Sequence, residues 1–492
     1  MSLGGDKEIS PVPERPDEQQ VPKVGVDAWV ATHAERTHKG RVQQLIDRVP
    51  RPAWYALFGA LAAFLPLVTS DGYVIRVGGE TLMYMLLALG LNITVGYAGL
   101  LDLGYTAFFG IGAFGYAMLS SPKFGIGMDT LLVIPIVVVA TALIGFVVAL
   151  PSRRLIGDYL AIVTLFFLQL FIVVVQNGNK ISILGFTRGY DVTGGPNGIP
   201  DLREWHIGGI QVASLQGYYW AILILVLLTL TVVYLIDQSR TGRAWKSLRE
   251  DPLAAELMGI PVNRLKLIAF AFGAGIGGLA GTFFGGLNDA VFASNFDVPT
   301  LIIVYAMLIL GGAGSIGGVI IGAIVVNVSL EVLRTPEKAT WIYYVVIVAT
   351  LLIKLRPWRV LAVVFGGTIA FGYLVHWIVP MIWPSSDTGQ PVIGGWLGSF
   401  LDGWMLHPAN PQTIGNYMYV VLICAVVGLT LLHGWWRHIA MIPTLYLASF
   451  VWDNRLVVEP SITRLILVGV MLIVLMNMRP QGLLGTARVE IA

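Results

Sequence analysis

The sequence predicts an all-α, polytopic helical membrane protein, and two observations carry that prediction. Only 12% of the 492 residues are charged while 56% are hydrophobic, whereas a soluble domain holds about 25% charged residues. The mean hydropathy of +0.76 agrees, and the charges are too few to cover a water-facing surface. In addition, apolar runs near the roughly 20 residues that a bilayer crossing needs recur throughout the chain. The formal net charge of +2 gives no reason to expect a nucleic-acid partner. Cys424 is the single cysteine and stands in an apolar run, so a disulfide within the chain is impossible and a buried thiol is expected.

Residues 1–53 are polar, hold many charges and prolines, and read as a cytoplasmic tail, partly disordered, without a secretory signal pattern. Within them, Gly40 to Val49 is either a short interfacial amphipathic helix, with Val42, Leu45, Ile46 and Val49 facing lipid, or more tail. Fourteen hydrophobic segments follow, at about 54–70, 81–98, 104–120, 130–150, 159–178, 218–236, 266–287, 300–312, 317–334, 340–355, 360–379, 417–433, 438–452 and 462–478. The segment 300–312 is short for a crossing. It is either a span or half of a broken or re-entrant helix joined to 317–334 through Gly311–Gly318. With the N-terminus inside, the inside segments carry 22 of the 31 lysines and arginines, which places both termini and the 239–260 stretch in the cytoplasm. The 179–217 loop is then external.

The 239–260 stretch is a polar island between two apolar runs, 218–236 and 266–287. Asp251 followed by Pro252 is a strong helix start, a side-chain acceptor before a proline at the first helical position. Gly259 followed by Pro261 is the matching stop. A helix of about two turns, from Pro252 to Met258, is therefore expected at the membrane surface, tied to a membrane helix at each end. A soluble partner could push on it as a lever.

Glycines crowd two regions, 90–115 and 273–286, and close helix packing accounts for most of them. The run from Gly90 to Gly104 also mixes polar residues into membrane depth, where an irregular backbone is tolerated only inside protein or along a water-filled path. Asn92, Tyr97 and Asp102 are the candidate path residues. Gln169, Gln176, Asn177, Asn327 and Glu331 read instead as interhelical hydrogen-bond partners. The sequence has no phosphate loop of the form G-x-x-x-x-G-K-[ST], no H-E-x-x-H and no Cys/His cluster. A catalytic residue, a bound cofactor and a metal site are accordingly not expected in this chain. A lever without a motor implies that the motor is a separate subunit.

The run Leu91 to Gly115 (LNITVGYAGLLDLGYTAFFGIGAFG), Thr193 to Pro200 (TGGPNGIP), Gly242 to Asp251 (GRAWKSLRED), Lys266 to Gly281, Met307 to Ser315 (MLILGGAGS) and Arg479 to Gly485 (RPQGLLG) share one resemblance. Together they resemble the branched-chain amino-acid permease family of bacterial ABC importers, the LivM-type membrane subunit. The blocks cover most of 81–335 and 462–485. In this family the 239–260 region corresponds to the loop that docks into the ATPase, which marks Arg249, Glu250, Asp251, Pro252, Ala255 and Gly259 as coupling residues. Pro252 stands where an acidic residue is usual in the family, which keeps the helix start and puts one contact in doubt.

The resemblance implies a permease core at 54–335 with its coupling loop at 237–265, and a final membrane helix with a cytoplasmic tail at 462–492. Between them, 340–452 adds about four hydrophobic segments that the resemblance does not cover. It further implies a bacterial inner-membrane location, a second related permease, two ATP-binding cassette subunits that bind the ATP, and an extracytoplasmic solute-binding protein. Family members carry leucine, isoleucine and valine, other amino acids or urea. The alternative is a stand-alone secondary transporter or channel, which needs a coupling-ion site of charged residues deep in several helices.

Overall fold

The computed structural model describes residues 51–152, 158–179, 191–207, 210–212, 214–288, 290–355, 358–389, 394–456, 460–478 and 482–484. The Gly40–Val49 segment, most of the 1–53 tail and Arg479–Gln481 lie outside them. The chain divides into two units, residues 1–61 and 62–492. Helix α1 (Arg51–Val68) runs across that division, and the contacts described below all lie within the second unit.

The helices of this unit follow in order as α2 (Gly72–Leu91), a π-helical turn (Asn92–Tyr97), α3 (Tyr105–Ser120), α4 (Thr130–Ser152) and α5 (Asp158–Asn177). Next come α6 (Leu215–Gln238), the two short helices α7 (Arg240–Glu250) and α8 (Pro252–Leu257), α9 (Val262–Leu287), α10 (Val298–Gly311) and α11 (Ile316–Val332). After α12 (Pro336–Lys354) the chain forms α13 (Trp358–Ile382), α14 (Gly395–Trp404), α15 (Pro411–Leu431), α16 (Trp435–Val451), a second π turn (Trp452–Leu456) and α17 (Pro460–Met478).

Each apolar segment of the sequence overlaps a helix. Among the described residues, however, eight helices are long and apolar enough to cross a membrane, or up to nine if α11 and α12, bent by 115° at their break, form one span. The fold is that of a polytopic helical membrane protein. Short strands interrupt it: β1 (Ile199–Pro200) pairs antiparallel with β4 (Ala290–Val291), and β2 (Trp205–Ile207) with β3 (Ile210–Val212). Periodicity did not reveal them, because two or three residues are too few for an alternating pattern.

Helix α9 is the axis of the core. Its residues from Gly273 to Phe283 are buried without interruption, although a helix at a protein–lipid boundary exposes one face. Glycine allows this, since it lets α3 and α9 meet backbone to backbone: a Cβ at Gly112 would lie 2.6 Å from Gly278 Cα. By contrast α4 and α6 bury one side and leave Leu143, Val147, Ile224 and Leu235 largely exposed, the pattern of a lipid-facing wall.

The segment after α12 has a core of its own, in which Trp404, Tyr446, Phe450 and Val451 pack with Phe371. Inside it His407 Nε2 and Asp453 Oδ2 lie 2.9 Å apart, both nearly fully buried. Cys424 is exposed rather than buried: α15 turns most of its apolar residues outward, so an apolar run here marks a lipid-facing helix.

Candidate functional site

The exposed turn is built as its sequence predicts. Asp251 Oδ1 accepts from the N–H groups of Leu253 (2.8 Å) and Ala254 (3.1 Å), capping α8. At the other end Gly259 has φ of +81°. Its N–H donates to Glu256 O (2.9 Å), and the N–H of Ile260 donates to Ala255 O (3.0 Å). These paired bonds close the helix and satisfy carbonyls that would otherwise lack partners. The result is a short rod with fixed ends.

Ala255 is buried, while Glu250, Asp251 and Pro252 are exposed. Leu253 and Leu257 are 71% and 89% exposed, with Met258 beside them. These large apolar side chains stand bare on a charged segment and form an exposed apolar patch.

Helix α7 is an element of this site that sequence reasoning missed. Ser239 caps it, accepting from Gly242 N–H at 3.2 Å, and Trp245 and Leu248 supply a buried face three residues apart. That serine and that spacing were the available signal. Trp245 Nε1 donates to Leu265 O (3.0 Å), fastening α7 to the start of α9. Lys246 pairs with Asp237 at 2.6 Å, fastening it to the end of α6. Arg249, grouped by sequence with the docking turn, reaches inward: its Nη1 donates to Gly96 O and to Ala313 O (3.3 Å for the latter).

The broken stretch holds the candidate path residues. Asn92 is fully buried and its Oδ1 accepts from Gly314 N–H at 2.7 Å, tying the π turn to the loop between α10 and α11. Tyr97 is buried and its ring lies 5.7 Å from Lys246 Nζ. Asp102 is fully buried, its Oδ1 accepting from Gly104 N–H (3.0 Å), and Tyr305 Oη donates to its carbonyl (2.7 Å). Asn92 and Tyr97 thus share one junction with Arg249, while Asp102 sits a turn away beside Tyr305.

Of the residues read as interhelical partners, Asn327 donates from Nδ2 to Thr81 Oγ1 (2.8 Å). Glu331 accepts from Tyr73 Oη (2.9 Å) and pairs with Arg334 (3.3 Å). Asn177 bonds within its own helix, to Val173 O. Among the described residues, no group of three or more His, Cys, Asp or Glu is arranged to hold a metal ion.

On the opposite side, the Thr193–Pro200 block folds into a glycine-rich turn whose strand β1 pairs with β4 after α9. Beneath it Phe109, Phe284 and Phe296 stack edge to face at 4.9–5.5 Å between centroids.

Fold and site together define a multi-pass membrane protein whose spans are broken at a buried polar junction and linked by an exposed, rigidly capped helix. Residues 73–355 match the family described as branched-chain amino acid transport system / permease component. The chain belongs to that family. It is 34% identical over 322 residues to the high-affinity branched-chain amino acid transport system permease protein LivM of Escherichia coli K12, covering 61% of this chain and 71% of that one. It is 26% identical to the LivH protein of Salmonella typhimurium over 294 residues (55% and 88% of the two chains). A probable LivM of Methanocaldococcus jannaschii is 25% identical over 317 residues (53% and 85%). No solved structure matches the chain significantly.

Proposed function

We propose that this chain is the permease subunit of an ATP-driven importer that carries branched-chain amino acids, or a related small solute, across the bacterial cytoplasmic membrane with both termini inside. ATP is bound and hydrolysed by two separate ATP-binding cassette subunits, and an extracytoplasmic solute-binding protein delivers the solute. Likeness to both LivM and LivH proteins supports pairing with a second, related permease. The observation that carries this reading is α8, a capped rod with Leu253 and Leu257 exposed, held between the ends of α6 and α9. Such a rod transmits a push without absorbing it, and it is the docking helix for an ATPase cleft. A photo-reactive residue at position 257, in the assembled transporter, is expected to cross-link to an ATPase subunit. Cross-linking only to lipid or to this chain would remove the docking role.

The solute path, in this proposal, runs along the broken stretch at Asn92, Tyr97 and Asp102. These side chains are buried in the arrangement described, so the path is closed here and opens with nucleotide state. In a Cys424→Ala background, cysteines at 97 and 102 are expected to react with small water-soluble thiol reagents in one nucleotide state and to be protected in the other. Protection in every state rejects the path. We further propose that residues 340–452, which lie beyond the matched residues from 356 onward, are peripheral to the permease core.

A further inference from the structure

We propose that Arg249 is not a contact for the ATPase but the pin that carries motion of α8 into the membrane. On this view it holds together the two helix breaks, Asn92–Tyr97 and Gly312–Ser315. The inference rests on α8 being the docking helix and concerns how that helix is connected to the spans.

Three observations converge on the arginine. The first is what it binds. At a helix break the last carbonyls lose their intrahelical partners, and where they are shielded from water a partner must come from elsewhere in the protein. Gly96 O belongs to the end of the π turn and Ala313 O to the loop that ends α10, and one guanidinium nitrogen donates to both. A cation is also the favoured charge at the C-terminal end of a helix.

The second is how the side chain is accommodated. Gly99 and Gly314 have φ of +69° and +88°. A Cβ at Gly99 would lie 2.9 Å from Arg249 Cγ, and one at Gly314 would lie 2.5 Å from Nη1. Each break therefore supplies a glycine to the wall around the same side chain. The third is that the two breaks are also bonded to each other, through Asn92 Oδ1 and Gly314 N–H. A pull on Arg249 moves both as a unit.

The mechanical connection is short. Arg249 lies two residues before Asp251, the cap of α8, and the same turn carries both. A displacement of α8 thus reaches the breaks through one side chain. Lysine is a poor replacement, since its side chain is one bond shorter and its ammonium falls short of the position from which Nη1 donates to both carbonyls.

The test uses the whole transporter in proteoliposomes, with ATP hydrolysis and solute uptake measured together. Arg249→Met is expected to assemble, to hydrolyse ATP at the basal rate and to lower solute moved per ATP by about tenfold, in the range of coupling free energies between sites. Arg249→Lys is expected to fall between it and the wild type. A photo-reactive residue at 257 should still cross-link to the ATPase in both variants, and one at 249 should cross-link within this chain.

Wild-type solute moved per ATP in Arg249→Met, with cross-linking at 257 intact, overturns the pin and spares the docking reading. Capture of the ATPase from position 249 also overturns it. Absence of cross-linking at 257 in the wild type overturns the docking reading, and the pin with it. If Arg249→Met does not assemble, Arg249→Lys decides: wild-type coupling in that variant overturns the proposal.

Discussion

Gly259→Val is expected to reduce solute-stimulated ATP hydrolysis about tenfold while assembly and basal hydrolysis survive, the scale of a typical coupling free energy. Gly259 has φ of +81°, and an added Cβ would meet nothing within 4 Å. The effect is therefore conformational and owes nothing to a clash. A β-branched residue there is an outlier, and such strain costs about 1–3 kcal/mol. That is enough to unmake the paired bonds from Gly259 and Ile260 that close a six-residue helix.

Gly259→Asn is the control, because asparagine tolerates the left-handed region; it should retain most of the stimulation. Asp251→Ala should act in the same direction and more weakly, since losing an N-cap costs about 1 kcal/mol. Stimulation measured with solute-loaded binding protein separates these cases. If valine and asparagine behave alike at 259, rigidity of the rod is not what matters.

Gly112→Ala is expected to have the largest effect on folding. The new methyl group would lie 2.6 Å from Gly278 Cα and closer still to the carbonyl of Gly278. The obstacle is backbone, so no side chain can swing away and α3 must part from α9. Overpacking a core costs about 1–3 kcal/mol and occasionally more; here it falls on the axis of the permease, and the upper end is expected. Gly428→Ala in α15 and Gly469→Ala in α17 would meet nothing within 4 Å. Alanine in an exposed helix interior is favoured over glycine by roughly 0.5–1 kcal/mol, so these should be neutral or slightly stabilising. Thermal unfolding of the purified transporter measures all three. Equal stability of Gly112→Ala and Gly428→Ala would falsify the packing account of α3 and α9.

The parts of this structure that could be read in the sequence are those set by local chemistry. Asp251, Pro252 and Gly259 each impose a backbone state, so α8 and its ends could be placed without a fold. Apolar length located the helices in the same way, and the doubled glycines near 311 and 318 marked a break. The rest depends on which distant residues meet. Nothing local to Arg249 says that its partners are Gly96 and Ala313, because those acceptors are backbone carbonyls and carry no sequence signature. Cys424 failed for a related reason: an apolar run is the same whether its neighbours are protein or lipid. The short strands at 199 and 290 pair across the intervening helices α6 to α9 and give no periodic signal of their own.

The loop between α10 and α11 is also held from the far end of the chain: Leu483 N–H donates to Leu310 O (2.9 Å) and Leu484 N–H to Gly311 O (3.0 Å). The consequence is one of timing during synthesis. These acceptors leave the ribosome well before their donors, with the whole α12–α17 stretch translated in between. At about 5–20 residues per second, roughly ten to thirty seconds separate the two. For that interval the end of α10 lacks two of its bonds, and they close only when residues 483 and 484 have emerged.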